Sequence, residues 1–173
     1  MVHVPGRRRG SAASAGELRS SPAGPPAPDV VPPVRTKVIA ARPRDHAFDA
    51  FVRRTGRWWP VGTQVMAPGR VADVRIDPWL GGRVVEVWDD ASEHLWGTVV
   101  GWCPPCELTI AWQAHDDGAT TEVTVRFAEA SIVTCWVEVT HDGWSALGAE
   151  APALREGYRV GWSEVLGAFL AGI

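Results

Sequence analysis

The sequence predicts an α+β fold in which helices are segregated to one face of a curved antiparallel sheet. Three observations predict it. From residue 71 to residue 141 apolar residues recur with a period of two, as in Val74 and Ile76 or Val123, Val125 and Phe127. Turn signals interrupt that alternation about every 8 to 12 residues, the rhythm of a meander with one buried face. The last stretch switches to spacings of four and three, with Leu154, Tyr158, Trp162, Val165 and Phe169 forming the stripe of one long helix.

The first strand is the extended run Arg35 to Ala41, where Val38 and Ile39 sit among polar neighbours. Pro43 suits the first position of a helix, and Asp45 puts negative charge in its first turn. Phe48, Phe51 and Val52 fall at i, i+3 and i+4 and give that helix one apolar face. Gly56 ends it, and Arg57-Trp58-Trp59-Pro60 reads as a turn-like segment. In the second strand Val74 and Ile76 alternate with Asp73, Arg75 and Asp77, and the turn Gly81-Gly82 leads into the third, Arg83 to Trp88. His94 to Trp102 is the fourth, and Leu108, Ile110 and Trp112 mark the fifth. The turn Asp116-Asp117-Gly118 precedes the sixth, which carries Val123, Val125 and Phe127. Val133, Cys135, Val137, Val139 and His141 make the seventh. Pro152 opens the closing helix, whose other side carries Arg155, Glu156, Arg159 and Ser163. At 1.5 Å per residue that helix reaches about 30 Å, enough to cross a whole sheet.

Composition divides the chain in two. Residues 1–34 hold seven of the 14 prolines and four glycines, with no apolar period. Such a segment buries too little surface to offset its conformational entropy, so it is expected to be a disordered tail. Arg7-Arg8-Arg9 is followed by no sustained apolar run, which argues against a secretory signal. Residues 35–173 are expected to form one domain. They hold 13 Lys+Arg against 18 Asp+Glu, a balance of −5. An acidic fold lacks the cationic field that nucleic-acid affinity requires, so no nucleic-acid partner is expected. No apolar run approaches the roughly 20 residues needed to span a bilayer. Three cysteines suit a reducing compartment, and a cytoplasmic location is expected.

Several segments occur in an order that resembles a known family. They are Ala47-Phe48 to Trp58-Trp59-Pro60, Pro78 to Glu86 around Gly81-Gly82-Arg83, Trp96-Gly97 to Trp102-Cys103-Pro104-Pro105, and Leu108 to Trp112. Thr121 to Phe127, Val137 to Gly143 and Gly161-Trp162 complete the set. Over about residues 36–170 the chain resembles the helix-grip fold of the START-like, or SRPBCC, superfamily. Within it, the likeness is to homologues of the activator of heat shock protein 90 ATPase (C-terminal domain type). The chain departs from that pattern at Val84-Val85 and at Cys135-Trp136. The resemblance implies a curved antiparallel sheet wrapped around a long C-terminal helix, with short helices between the first two strands. It also implies a small hydrophobic or amphipathic ligand, a stress- or chaperone-related role with a chaperone as partner, and a monomer or homodimer. Some members of the superfamily are similar to polyketide cyclases and aromatases, which makes an enzyme the alternative.

A long helix over a cupped sheet leaves room for an apolar cavity. Trp96, Trp112, Phe127 and Trp162 are candidate wall residues among ten tryptophans, with Val137 beside them. Simple packing is the competing account, since an indole buries about 150–250 Å² in any core. His141 shares the parity of Val137 and Val139 and so faces the helix, where Tyr158 can approach it. The pair are the candidate acid/base groups. A histidine hydrogen-bonded to backbone at the strand end is the plainer account. Glu86 fits either a cavity carboxylate or an outward side chain.

Cys103-Pro104-Pro105-Cys106 admits three readings: two turn cysteines, a reversible disulfide, or part of a metal site. The strand-like residues that follow do not supply the helix N-terminus of a thioredoxin-type thiol. Only Cys135 remains as a further cysteine, and His94, His115 and His141 lack paired ligand spacing. No metal and no cofactor are therefore expected. A Gly-x-Ser-x-Gly elbow, a phosphate loop and a dinucleotide fingerprint are all missing, and no reaction is identified.

Overall fold

Alternating apolar positions become strands where one face can be buried, and here they do so seven times. The computed structural model describes residues 31–113 and 119–173. In chain order the elements are β1 (Val34–Ala40), α1 (Arg44–Arg53), α2 (Thr55–Trp58), β2 (Val71–Ile76), β3 (Arg83–Trp88) and β4 (Glu93–Cys103). They continue with β5 (Glu107–Trp112), β6 (Thr121–Ser131), β7 (Thr134–Asp142), a 3₁₀ segment (Trp144–Glu150) and α3 (Ala151–Gly172). Residues 1–30 of the expected tail, and the Asp116-Asp117-Gly118 turn with His115, lie outside the described residues.

The strands form one antiparallel sheet in the order β1-β7-β6-β5-β4-β3-β2. Every connection from β2 to β7 is therefore a hairpin, and β1 closes onto β7 through pairs such as Val38 with Val137. The sheet curls into a half-barrel around α3, which is the helix-grip arrangement. Val165, Leu166 and Phe169 of α3 are buried against it. The Phe169 ring meets Phe51 at 5.3 Å and Trp58 at 5.0 Å, both edge-on. Fully burying a side chain of this size contributes about 1.5–3 kcal/mol. No described helix is long and apolar enough to cross a membrane.

Three local features differ from the sequence reading. The segment after Arg54 is a one-turn helix that includes Gly56, closed by the Trp59 N–H on the Thr55 carbonyl at 2.9 Å, while Thr55 Oγ1 ties it back to the carbonyls of Phe51 and Val52 at 2.8 and 2.9 Å. Val133 sits in the β6–β7 turn, where its N–H donates to Ser131 Oγ at 3.2 Å. The 3₁₀ segment before α3 is the third. Its Trp144 is fully buried and donates Nε1–H to the His141 carbonyl at 2.9 Å. At Gly148 the chain kinks through φ 57°, a left-handed angle that favours glycine, and enters α3.

Candidate functional site

Trp59 follows α2, Trp96 lies on β4, Trp112 on β5 and Trp162 on α3, so three elements and the α2–β2 connection each deliver one indole to the same place. The rings close a circuit. Centroids are 5.0 Å apart for Trp59 and Trp96, 5.6 Å for Trp96 and Trp112, 5.8 Å for Trp112 and Trp162, and 6.3 Å for Trp162 and Trp59. Together with Tyr158 and Met66 they line a cavity of about 370 Å³ between α3 and the sheet. Among the described residues no charged side chain lines it.

Each indole N–H is engaged by the protein. Trp59 Nε1 donates to the Gln64 carbonyl at 2.6 Å and Trp96 Nε1 to Glu86 Oε2 at 3.1 Å. Trp112 Nε1 donates to the Tyr158 hydroxyl at 3.0 Å and Trp162 Nε1 to His141 Nδ1 at 3.1 Å. These bonds fix how the rings are turned, and the wall presents π-surface where free donors would otherwise stand.

His141 is fully buried. Indole N–H is a donor only, so His141 Nδ1 accepts from Trp162, and the ring proton sits on Nε2, 2.8 Å from Thr121 Oγ1. Both ring nitrogens thus face protein partners. Tyr158 meets the His141 ring edge-on at 4.6 Å and carries its hydroxyl to the cavity wall. Burial pushes the Tyr158 phenol up, and the bond from Trp112 partly offsets the rise. The folded state therefore favours the neutral phenol. That contribution is intact below a pH of about 10 and is lost as pH climbs through the higher folded-state value. Tyr158 is the chain's single tyrosine. Its tyrosinate absorbance should appear only above the midpoint of a free phenol, and a midpoint at or below that of the unfolded chain would contradict the buried site.

Glu86 is fully buried and faces inward with Val84. Its carboxylate accepts from Trp88 Nε1 at 2.5 Å, Trp96 Nε1 at 3.1 Å and the Met66 N–H at 3.0 Å. It therefore holds both a wall ring and the connection between α2 and β2. That connection, residues 59–70, crosses the cavity mouth. Gln64 Nε2 donates to Glu164 on α3 at 2.9 Å, and Thr63 Oγ1 donates to the same carboxylate. Gly161 permits the approach, since a Cβ there would stand 2.6 Å from Gln64 Oε1.

Of the residues singled out in the sequence, the structure brings Trp96, Trp112, Tyr158 and Trp162 to the cavity wall. His141 stands behind them. Phe127 packs against Phe48 and Phe51, and Val137 is buried in the core. The sequence reading did not include Trp59, Met66 or Gly157 as lining. The surface acids Asp89 and Asp90 pair with Arg70, and Glu93 pairs with Arg75 and Arg83, so three guanidiniums offset three carboxylates. Among the described residues no group of three His, Cys, Asp or Glu could hold a metal ion.

The family described as "Activator of Hsp90 ATPase homolog 1-like protein" matches residues 41–173. No curated relative matches the sequence. Among solved structures, the anthrahydroquino-gamma-pyrone synthase Txn09 is similar with 25% identity and a TM-score of 0.55, covering 85% of this chain and 100% of its own. CalC, a self-sacrificing resistance protein from Micromonospora echinospora, is similar with 26% identity and a TM-score of 0.58, over 81% of this chain and 92% of its own. A protein from Mesorhizobium loti shares the fold at 15% identity and a TM-score of 0.59, over 80% and 94% of the two chains.

Proposed function

The chain belongs to the activator of Hsp90 ATPase homolog 1-like family, and from that membership and the cavity we propose that it binds a planar, uncharged aromatic molecule between α3 and the sheet. The observation that carries this reading is the circuit of four indoles whose N–H groups are all engaged elsewhere. A flat aromatic ligand gains by stacking and edge contacts with such walls. A charged one would leave water for a site with no ionic partner, at a cost of several kcal/mol. The volume, about 370 Å³, falls within the range of small-molecule sites. The likeness to a synthase of a fused aromatic pyrone supports the same ligand class.

Gly157 supplies the test. It lines the cavity, and a Cβ there meets no heavy atom within 4 Å. Gly157→Leu should fill the space and weaken binding of an anilinonaphthalene probe, read by tryptophan quenching, at least about tenfold. Removing glycine from a helix interior also stabilises by about 0.5–1 kcal/mol, so lost binding with a raised Tm is expected. Unchanged affinity in a folded Gly157→Leu protein would place the ligand elsewhere.

Cyclase-like conversion of a polyketide-type substrate is the second reading, favoured by the Tyr158 hydroxyl at the wall. Tyr158 would give a proton to, or orient, a substrate carbonyl. His141 would act as a positioning residue, its nitrogens being bonded to Trp162 and Thr121. Tyr158→Phe separates the readings: it abolishes conversion under the second and leaves probe affinity within a few-fold under the first.

A further inference from the structure

The motif Cys103-Pro104-Pro105-Cys106 takes no part in the cavity. It forms the β4–β5 turn, at the opposite end of that hairpin from the pair Gly97 and Trp112 that borders the indole circuit. Both ends of the turn are held. Cys103 pairs with Glu107 in the ladder, and the Cys106 N–H donates to the Cys103 carbonyl at 2.7 Å. The Cys106 carbonyl in turn accepts from the Phe127 N–H of β6 at 2.8 Å. A four-residue turn brings its first and last Cα atoms within about 7 Å, and a disulfide needs about 4.4–6.8 Å. Two consecutive prolines restrict the chain between the cysteines, so little freedom remains to be lost on closure.

Accessibility separates these two thiols from the third. Cys103 is exposed and Cys106 half-buried, and both are free thiols. Cys135 is fully buried on β7, and burial pushes its thiol up, so it is the inert member. Two sulfurs make half of a tetrahedral zinc site, and among the described residues no group of three such ligands exists to complete one.

We propose that Cys103 and Cys106 are a reversible dithiol–disulfide couple that exchanges with low-molecular-weight disulfides. Cys103, the more exposed, reacts first. Its thiol loses a proton, the thiolate sulfur attacks one sulfur of the small disulfide, and the departing thiolate takes up that proton. Cys106 then loses its proton and attacks the Cys103 sulfur of the mixed disulfide. The Cys103–Cys106 bond forms and a second small thiol leaves with that proton. Two protein thiols are oxidised and one small disulfide is reduced to two thiols.

The test uses the full chain in buffers of reduced and oxidised glutathione, quenched with an alkylating reagent and mapped by mass spectrometry. The expected product has lost two hydrogen atoms, carries a bridge inside the 103–106 segment, and leaves Cys135 unalkylated until the protein is unfolded. Cys103→Ser and Cys106→Ser should each accumulate a glutathione adduct on the remaining turn cysteine, because no partner resolves it. Adducts that persist on the unsubstituted chain, disulfides between two chains, or thiols that stay reduced in excess oxidised glutathione would each overturn the proposal. So would zinc that copurifies and protects both thiols.

Discussion

Replacing Glu86 by leucine is expected to destabilise the protein by roughly 2–4 kcal/mol, through buried hydrogen-bond donors left without an acceptor. Three donors lose their acceptor at once: the Met66 N–H, Trp88 Nε1 and Trp96 Nε1. Each buried donor left unsatisfied costs about 1–3 kcal/mol, and Trp88 and Met66, being less buried, recover part of that from water. Glu86→Gln keeps one acceptor oxygen but turns an amide N–H toward donors, so a smaller loss, about 1–3 kcal/mol, is expected. Urea unfolding should show a lowered midpoint at unchanged slope. A midpoint equal to that of the natural chain for Glu86→Leu would mean that the carboxylate does not organise the wall.

Trp162→Ala should cost about 3–5 kcal/mol, the usual range for deleting a buried indole. It also breaks the indole circuit where α3 contributes to it, so probe binding should fall with stability. Trp162→Phe removes the hydrogen bond with a smaller loss of packing. Most of the ring volume stays, His141 Nδ1 loses its donor, and the expected cost is about 1–3 kcal/mol. Nitrogen NMR of the His141 ring provides an independent readout. With Trp162 present the proton should reside on Nε2, beside Thr121. A ring protonated on Nδ1 in the natural chain would rule out the bond from Trp162, since an indole N–H cannot accept, and would make His141 Nε2 the acceptor from Thr121.

The sheet and the long helix were legible because burial on one face forces a period, and period is a local property of sequence. Val137, Val139 and His141 shared a parity, and the histidine is indeed turned inward. The stripe Trp162, Val165 and Phe169 likewise told which side of α3 is buried. Less of the cavity could be read. Residues 59–70 carry no period, so nothing in their spacing announced that Trp59 and Met66 would reach the cavity. Glu86 stayed ambiguous because Val85 and Val87, of the opposite parity, are apolar too, and the structure buries Val84, Val85 and Glu86 alike. The extra residue of the β3–β4 bulge is Trp96, on β4 between the partners of Val84 and Val85, so β3 itself keeps its alternation and Glu86 shares the side of Val84. Val137 and Phe127 have the inward parity of wall residues, yet parity assigns a face and not a position along it. Both lie nearer the α1 end, where Phe48 and Phe51 fill the space.

The anchors of the four indoles lie behind or beside the rings they hold, in Gln64, Glu86, Tyr158 and His141. An arriving guest consequently finds its receptacle already shaped, with no aromatic rotors left to freeze, and the entropic toll of association shrinks accordingly. Burying an apolar guest in a hollow of this kind is expected to carry a negative heat-capacity change.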